Sequence, residues 1–308
     1  MTWFWLALVG HIANGIAFVI DKILLKTAFK RSATYAGLVG IQSVVALLAI
    51  PFVSVWPTLG VWSIAMISGA TFVLALWAFF AALSRAEASR IVPIVGSLIP
   101  ILTLVGTFVF LGERLSDATF MGFGLLIVAT IILSGGGKGR PSKDAVWLAV
   151  TSAFLFAVAS VTGKASYDGS SFLGGLVTSR IAAALTAFLL LALIDRKAGR
   201  EALSIIKPQS KKKTKAAQKT GAAAALLAIV GQAVGSLGFI LVQWGVAQGS
   251  ASIVNAMQAV QYALLVIAAF ALRKKAPHLL GENLTPQVIA IKTGALVIAA
   301  VGMYLVVS

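Results

Sequence analysis

The chain has 308 residues, of which 59% are hydrophobic and 11% charged. A soluble domain of this length needs far more charge to cover its surface, so a water-soluble globule is excluded. The formal net charge of +16 would suggest a nucleic-acid partner in a soluble protein, but the basic residues fall mostly in short connections between apolar segments, so membrane topology explains them and no nucleic-acid partner is expected.

Crossing a bilayer takes about 20 apolar residues per helix. On that measure the sequence predicts ten spans: Thr2–Lys22, Thr34–Trp56, Leu59–Ser84, Ser89–Gly112, Ser116–Ser134, Asp144–Ala165, Ser170–Ile194, Thr220–Ala247, Ser250–Leu272 and Thr285–Val307. The first charge is Asp21, and no basic residue precedes Trp3, so the N-terminus reads as a retained span, not a removed signal peptide. Most connections are short, which makes sequential helices antiparallel neighbours. Two connections differ. Gly135-Gly136-Gly137-Lys138-Gly139-Arg140-Pro141 is a flexible breaker near the middle of the chain, and 195–219 is a basic loop with Lys211-Lys212-Lys213-Thr214-Lys215 at its core. The loop reads as a solvated topology signal, with a sharper reading as a strip on anionic lipid headgroups near 196–219.

The chain repeats itself. Leu111-Gly112-Glu113-Arg114-Leu115-Ser116 returns as Leu280-Gly281-Glu282-Asn283-Leu284-Thr285, each copy before the last span of its half. Trp5-Leu6-Ala7 with Lys22 returns at the same spacing as Trp147-Leu148-Ala149 with Lys164, and Ile91-Val92-Pro93 returns as Ile253-Val254-Asn255. Three matches in one order make a repeat. The boundaries are 1–137 and 138–308. An odd number of spans per half inverts the second half in the membrane, an architecture common among secondary transporters. The fold class expected is therefore an all-α integral membrane protein of ten helices in two inverted five-helix repeats.

At these residues the sequence resembles the EamA type of the drug/metabolite transporter superfamily, over essentially the whole chain. The resemblance implies a central cavity, alternating access without ATP, and small polar cargo such as amino acids and related compounds, often exported. Lys22, Lys164, Glu113 and Glu282 match the family pattern, with roles in structure or gating. In the turns, Gly112 and Gly281 supply a left-handed helix stop, and Glu113 or Glu282 with the following hydroxyl residue can cap the next helix. On orientation the two sources conflict. All basic residues but Arg114, Lys164, Arg180 and Lys292 fall in connections on one side, which puts both termini outside. The family's better-described members have both termini in the cytoplasm. The charge bias is followed here.

Polar groups in hydrocarbon need partners or a wet cavity. Arg180, near the middle of the seventh span, either lines the cavity and meets an anion or pairs with a buried carbonyl or carboxylate; a guanidinium holds a carboxylate bidentately. His11 and Asn14 share a face of the first span, as a helix–helix contact or a substrate contact. Gln232, Ser236, Phe239 and Gln243 share a face of the eighth span, where Gly231 and Gly235 suit close packing. Asn255, Gln258 and Tyr262 share a face of the ninth. Gln42 and Trp77 complete the candidate cavity, though Trp77 alone reads more readily as packing. Pro93 and Pro100 in the fourth span are candidate gate hinges, or tolerated kinks.

A membrane enzyme or lipid-handling protein is one alternative, and would show a dense titratable cluster near an interface; none is evident, nor is a Walker, HExxH or Ser/His/Asp pattern. A receptor or scaffold docking through Lys211-Lys212-Lys213 is another. No catalytic residue, metal or cofactor is expected; with no cysteine, thiolate metal sites are excluded. The expected partner is a small-molecule substrate. A fused pair of halves closes its own cavity, so a monomer in the cell (inner or plasma) membrane is expected.

Overall fold

A computed structural model describes residues 1–24, 31–86, 88–134, 141–206, 215–272 and 285–307. The helices are α1 (Thr2–Leu24), α2 (Ser32–Gln42) continuing as a 3-10 helix (Ser43–Phe52), α3 (Leu59–Leu83), α4 (Ala88–Leu111), α5 (Asp117–Ser134) and α6 (Lys143–Asp168). There follow α7 (Phe172–Leu189) with a terminal π turn (Leu190–Ile194), α8 (Arg196–Ile206), α9 (Lys215–Gln248), α10 (Ala251–Ala256), α11 (Ala259–Leu272) and α12 (Pro286–Val307). Among the described residues there is no strand, and nine helical segments are long and apolar enough to cross a membrane. The chain is an all-α, multi-pass membrane protein. The first predicted span, now α1, is 23 residues long but does not fall among those nine.

Hydroxyl and carboxylate caps explain where many helices begin. Ser142, Ser171 and Ser250 accept from the main-chain N–H three residues on and start α6, α7 and α10. Ser116 does the same for α5 and Thr285 for α12, so the two repeated turns end in equivalent caps. Gly112 stands at φ +68°, and the Glu113 N–H reaches back to the Thr107 carbonyl, which closes α4. The cap on α5 is Ser116; Glu113 takes no part in it, and among the described residues its buried Oε1 has no hydrogen-bond partner. Gly281 and Glu282 lie outside the described residues, as do Lys211-Lys212-Lys213.

Two expectations are revised. The ninth span is not continuous. It breaks between α10 and α11, where the Gln258 N–H turns to the Asn255 carbonyl and the Gln261 N–H to that of Gln258, in 3-10 fashion. Its repeat mate α4 runs unbroken through Pro93 and Pro100. The stretch 195–219 is not all loop: Asp195 caps α8 by accepting from the Ala198 N–H, and α8 buries Ala198 and Ala202 beside α2 and α7. Arg31 pairs with Asp195 at 3.3 Å and the Thr34 hydroxyl with Glu201 at 2.9 Å, so the connections flanking α1–α2 and α7–α8 lie together.

Small residues set the pairings. α1 and α9 run antiparallel: Gly249 and Gly245 lie against Trp3, Gly238 against Gly10, Gly235 against Ala17 and Gly231 against Ile20. α3 and α6 pair the same way, with Gly169 against Val61, the Ser68 hydroxyl on the Ala159 carbonyl and the Ser152 hydroxyl on the Ala75 carbonyl. α1 runs parallel to α10–α11, Gly15 lying on Leu264, while α4 runs parallel to α6, with Ile91 clustering with Ala145 and Gly106 on Val161. α4 crosses α10–α11 in the opposite sense, through Thr103 with Asn255 and Gly96 with Tyr262. Hence α1 and α6 run in opposite directions. Exchanging the first five spans for the last five turns α1–α9 into α6–α3, and α1–α11 into α6–α4.

Candidate functional site

Gly69 positions the site. A Cβ there would overlap the Ser179 carbonyl, so only glycine lets α7 come this close to α3. Gly40 does likewise for α2, where a Cβ would come 2.5 Å from Ala187. The residue after Ser179 is Arg180, about 12 Å along α7 at ~1.5 Å per residue, and Phe72 stands one turn beyond Gly69. The Arg180 guanidinium carbon lies 4.6 Å from the Phe72 ring centroid and 4.7 Å from that of Phe239 on α9. Those centroids are only 5.5 Å apart, so the rings form a corner around the cation and do not sandwich it. Phe156 of α6 extends the row, 5.9 Å from Phe72.

Arg180 is 8% exposed, and among the described residues it makes no hydrogen bond or ion pair; its Nε–H is buried without a partner. Cation–π attraction contributes about 0.5–2 kcal/mol per ring, whereas burying an unpaired ion costs several kcal/mol after relaxation. The aromatic corner therefore holds the guanidinium in place without balancing its charge. The polar neighbours at this level are neutral: Gln42 of α2 donates to the Ser236 hydroxyl, one turn before Phe239, at 3.4 Å.

Most of the other predicted residues fall in separate places, but Tyr167, the partner of Gln243, lies within electrostatic reach of Arg180. Gln243 accepts from the Tyr167 hydroxyl at 3.2 Å, where Phe172 also stacks on Trp244 at 5.8 Å. Lys164 ties the end of α6 to α9, donating to Asp168 and to the Ala247 carbonyl. His11 is buried and committed on both ring nitrogens, Nε2 to the Val254 carbonyl at 2.7 Å and Nδ1 to Gln261 at 2.6 Å. Asn14 packs on Gly238. Asn255 donates to Thr103 and Ser160, and Gln258 to the Tyr262 hydroxyl. Trp77 packs with the cluster around Val73 and Ala187. Gln232 is half-buried on α9, above the Gly231 and Gly235 contacts to α1. The geometry thus gathers Arg180 and Gln42 with the aromatic row, and gives His11, Asn14, Asn255 and Trp77 packing partners. Phe72, Gly69 and Gln261 are missing from the sequence-derived set. An apolar groove of about 410 Å³ along Trp5, Val9 and Leu241 shares no residue with the Arg180 cluster. Among the described residues no group of His, Cys, Asp or Glu could hold a metal ion.

These features define a polytopic helical membrane protein with an aromatic-flanked guanidinium buried among its spans. Residues 1–135 match the EamA-like transporter family, in agreement with the resemblance to the EamA type of the drug/metabolite transporter superfamily seen in the motifs. Members of that family are transporters, not enzymes. A solved structure described only as the crystal structure of a protein aligns with 97% of this chain and 95% of its own, with a TM-score of 0.63 and 16% identity, which speaks for the fold alone. The comparison with curated proteins found no match.

Proposed function

We propose that the chain is a secondary active transporter that moves a small carboxylate-bearing metabolite, an amino acid or a related compound, outward across the cell membrane by alternating access. The observation that carries this reading is Arg180: a deep, immobilised guanidinium whose donors meet no described protein acceptor. A substrate carboxylate would supply the missing charge with in-plane hydrogen bonds. Two inverted halves, 1–137 and 138–308, are supported by the exchangeable helix pairings and by the opposite directions of α1 and α6. Arg180 sits where α3 of one half meets α7 and α9 of the other, and a broken helix beside such a seam is a recurrent transporter device. Outward direction rests on the family resemblance. The exposed Arg196, Lys197 and Arg200 of α8 suit anionic headgroups, at about 1 kcal/mol each, and the chain works as a monomer.

The test is counterflow in proteoliposomes with a pooled metabolite panel, with and without a pH gradient. Carboxylates should exchange, and Arg180→Ala should abolish exchange while leaving the protein folded. Full transport of every anionic substrate by Arg180→Ala would remove the assigned role.

A further inference from the structure

We infer that the Arg180 site selects monocarboxylates that lack an ammonium group, taking a 2-oxo acid in preference to the amino acid of the same skeleton. The inference rests on the reading of Arg180 as the substrate site and narrows it. Charge balance is the argument. A monocarboxylate beside Arg180 makes the loaded site neutral. A zwitterion leaves it at +1, with an ammonium close to a guanidinium in surroundings where charge is poorly screened.

An amino-acid site escapes that penalty by placing a carboxylate, or a set of free carbonyls, opposite the ammonium. The described residues place no carboxylate at Arg180. The chain has nine acidic residues, and by sequence none falls in the middle of a span. Asp117 and Asp144 stand in first helical turns, Asp168 is paired with Lys164, and Asp195 and Glu201 belong to the α8 junction. Glu113 lies in the turn after α4, and Asp21 in the last turn of α1. Glu87 and Glu282 lie outside the described residues, in segments the sequence reads as connections. The Val254 carbonyl, set free by the break in the ninth span, is taken by His11. What borders Arg180 instead is aromatic: Phe72, Phe239 and, next in the row, Phe156. Such a surface suits an apolar or aromatic body attached to the carboxylate.

The experiment uses matched pairs on the purified full-length protein: phenylpyruvate against phenylalanine, and 4-methyl-2-oxopentanoate against leucine. Thermal stabilisation in detergent and exchange in proteoliposomes are both read. The oxo acids should act at concentrations at least about tenfold below their amino acids, the factor expected for one uncompensated charge of 1.4 kcal/mol or more. Arg180→Gln should remove the difference, and Arg180→Lys should keep part of it. The wild-type comparison stands even if the variants fail to fold. Amino acids matching or surpassing their oxo acids would overturn the inference and leave the transporter reading intact. If no carboxylate of either kind stabilised the protein or exchanged, both would fall.

Discussion

The imidazole Nε2 of His11 lies 2.7 Å from the main-chain carbonyl oxygen of Val254, at the last turn of α10. In an unbroken helix that carbonyl would accept from the Gln258 N–H, which here turns to Asn255. His11 therefore satisfies a group that the break sets free, and Gln261 fixes the tautomer by donating to Nδ1. His11→Leu should leave a buried carbonyl unsatisfied and lower stability by about 1–3 kcal/mol, seen as a lower thermal midpoint in detergent. KM should not change, because the ring touches no part of the Arg180 cluster. A raised KM at unaltered stability would return His11 to the substrate contacts.

Gly69 makes a second, cleaner case. Gly69→Ala places a methyl on the Ser179 carbonyl, so α7 must retreat from α3 and take Arg180 away from Phe72. Overpacking of this kind costs about 1–3 kcal/mol. Gly60→Ala, in the first turn of the same helix, meets nothing within 4 Å and serves as the control. Gly69→Ala should lower the thermal midpoint and raise KM, while Gly60→Ala should do neither. Equal behaviour of the two would mean that the close approach of α3 and α7 does not position the site.

Much of this architecture is legible in the sequence because bilayer thickness leaves little freedom. A run such as Leu59–Leu83 has to be a span, and Ser116 and Thr285 announce helix starts by chemistry alone. Arg180 stands out because a lone guanidinium deep in an apolar span has few ways of being tolerated. Its aromatic corner is hidden: Phe72 is one of 17 phenylalanines, and no spacing separates a ring over a cation from one facing lipid. The break at Met257 is hidden for a different reason. The side chain that accommodates it, His11, is 243 residues away, whereas the local signal, proline, points to α4, which stays continuous. Helix α8 escapes a hydropathy reading because its two buried alanines, Ala198 and Ala202, count only against α2 and α7.

Orientation follows from charge. Among the 25 basic residues only Arg114, Lys164, Arg180 and Lys292 fall outside the connections of one side, and the Arg31–Asp195 pair joins two of those connections directly. The positive-inside rule predicts that side in the cytoplasm and both termini outside. A protease-cleavable tag on either terminus should be removed from intact cells and protected in inverted vesicles. Cleavage confined to inverted vesicles would show the opposite orientation.

The unbalanced charge on Arg180 also bears on kinetics. With a monocarboxylate bound the site is neutral; empty, it carries one buried positive charge, attended by the rings of Phe72 and Phe239. Closing the protein around a lone charge near the membrane centre costs about 2.5–3.5 kcal/mol, so the empty carrier should reorient about a hundredfold more slowly than the loaded one. Uptake of labelled substrate into preloaded proteoliposomes, with the membrane potential clamped, should then exceed uptake into empty ones by about that factor. Arg180→Lys, which keeps the buried charge, should keep the gap between the two rates. Equal rates in the wild-type protein would mean that Arg180 finds a protein acceptor during reorientation, and a second carboxylate-bearing state would have to be sought around Glu113, whose Oε1 is the one buried carboxylate oxygen left without a partner among the described residues.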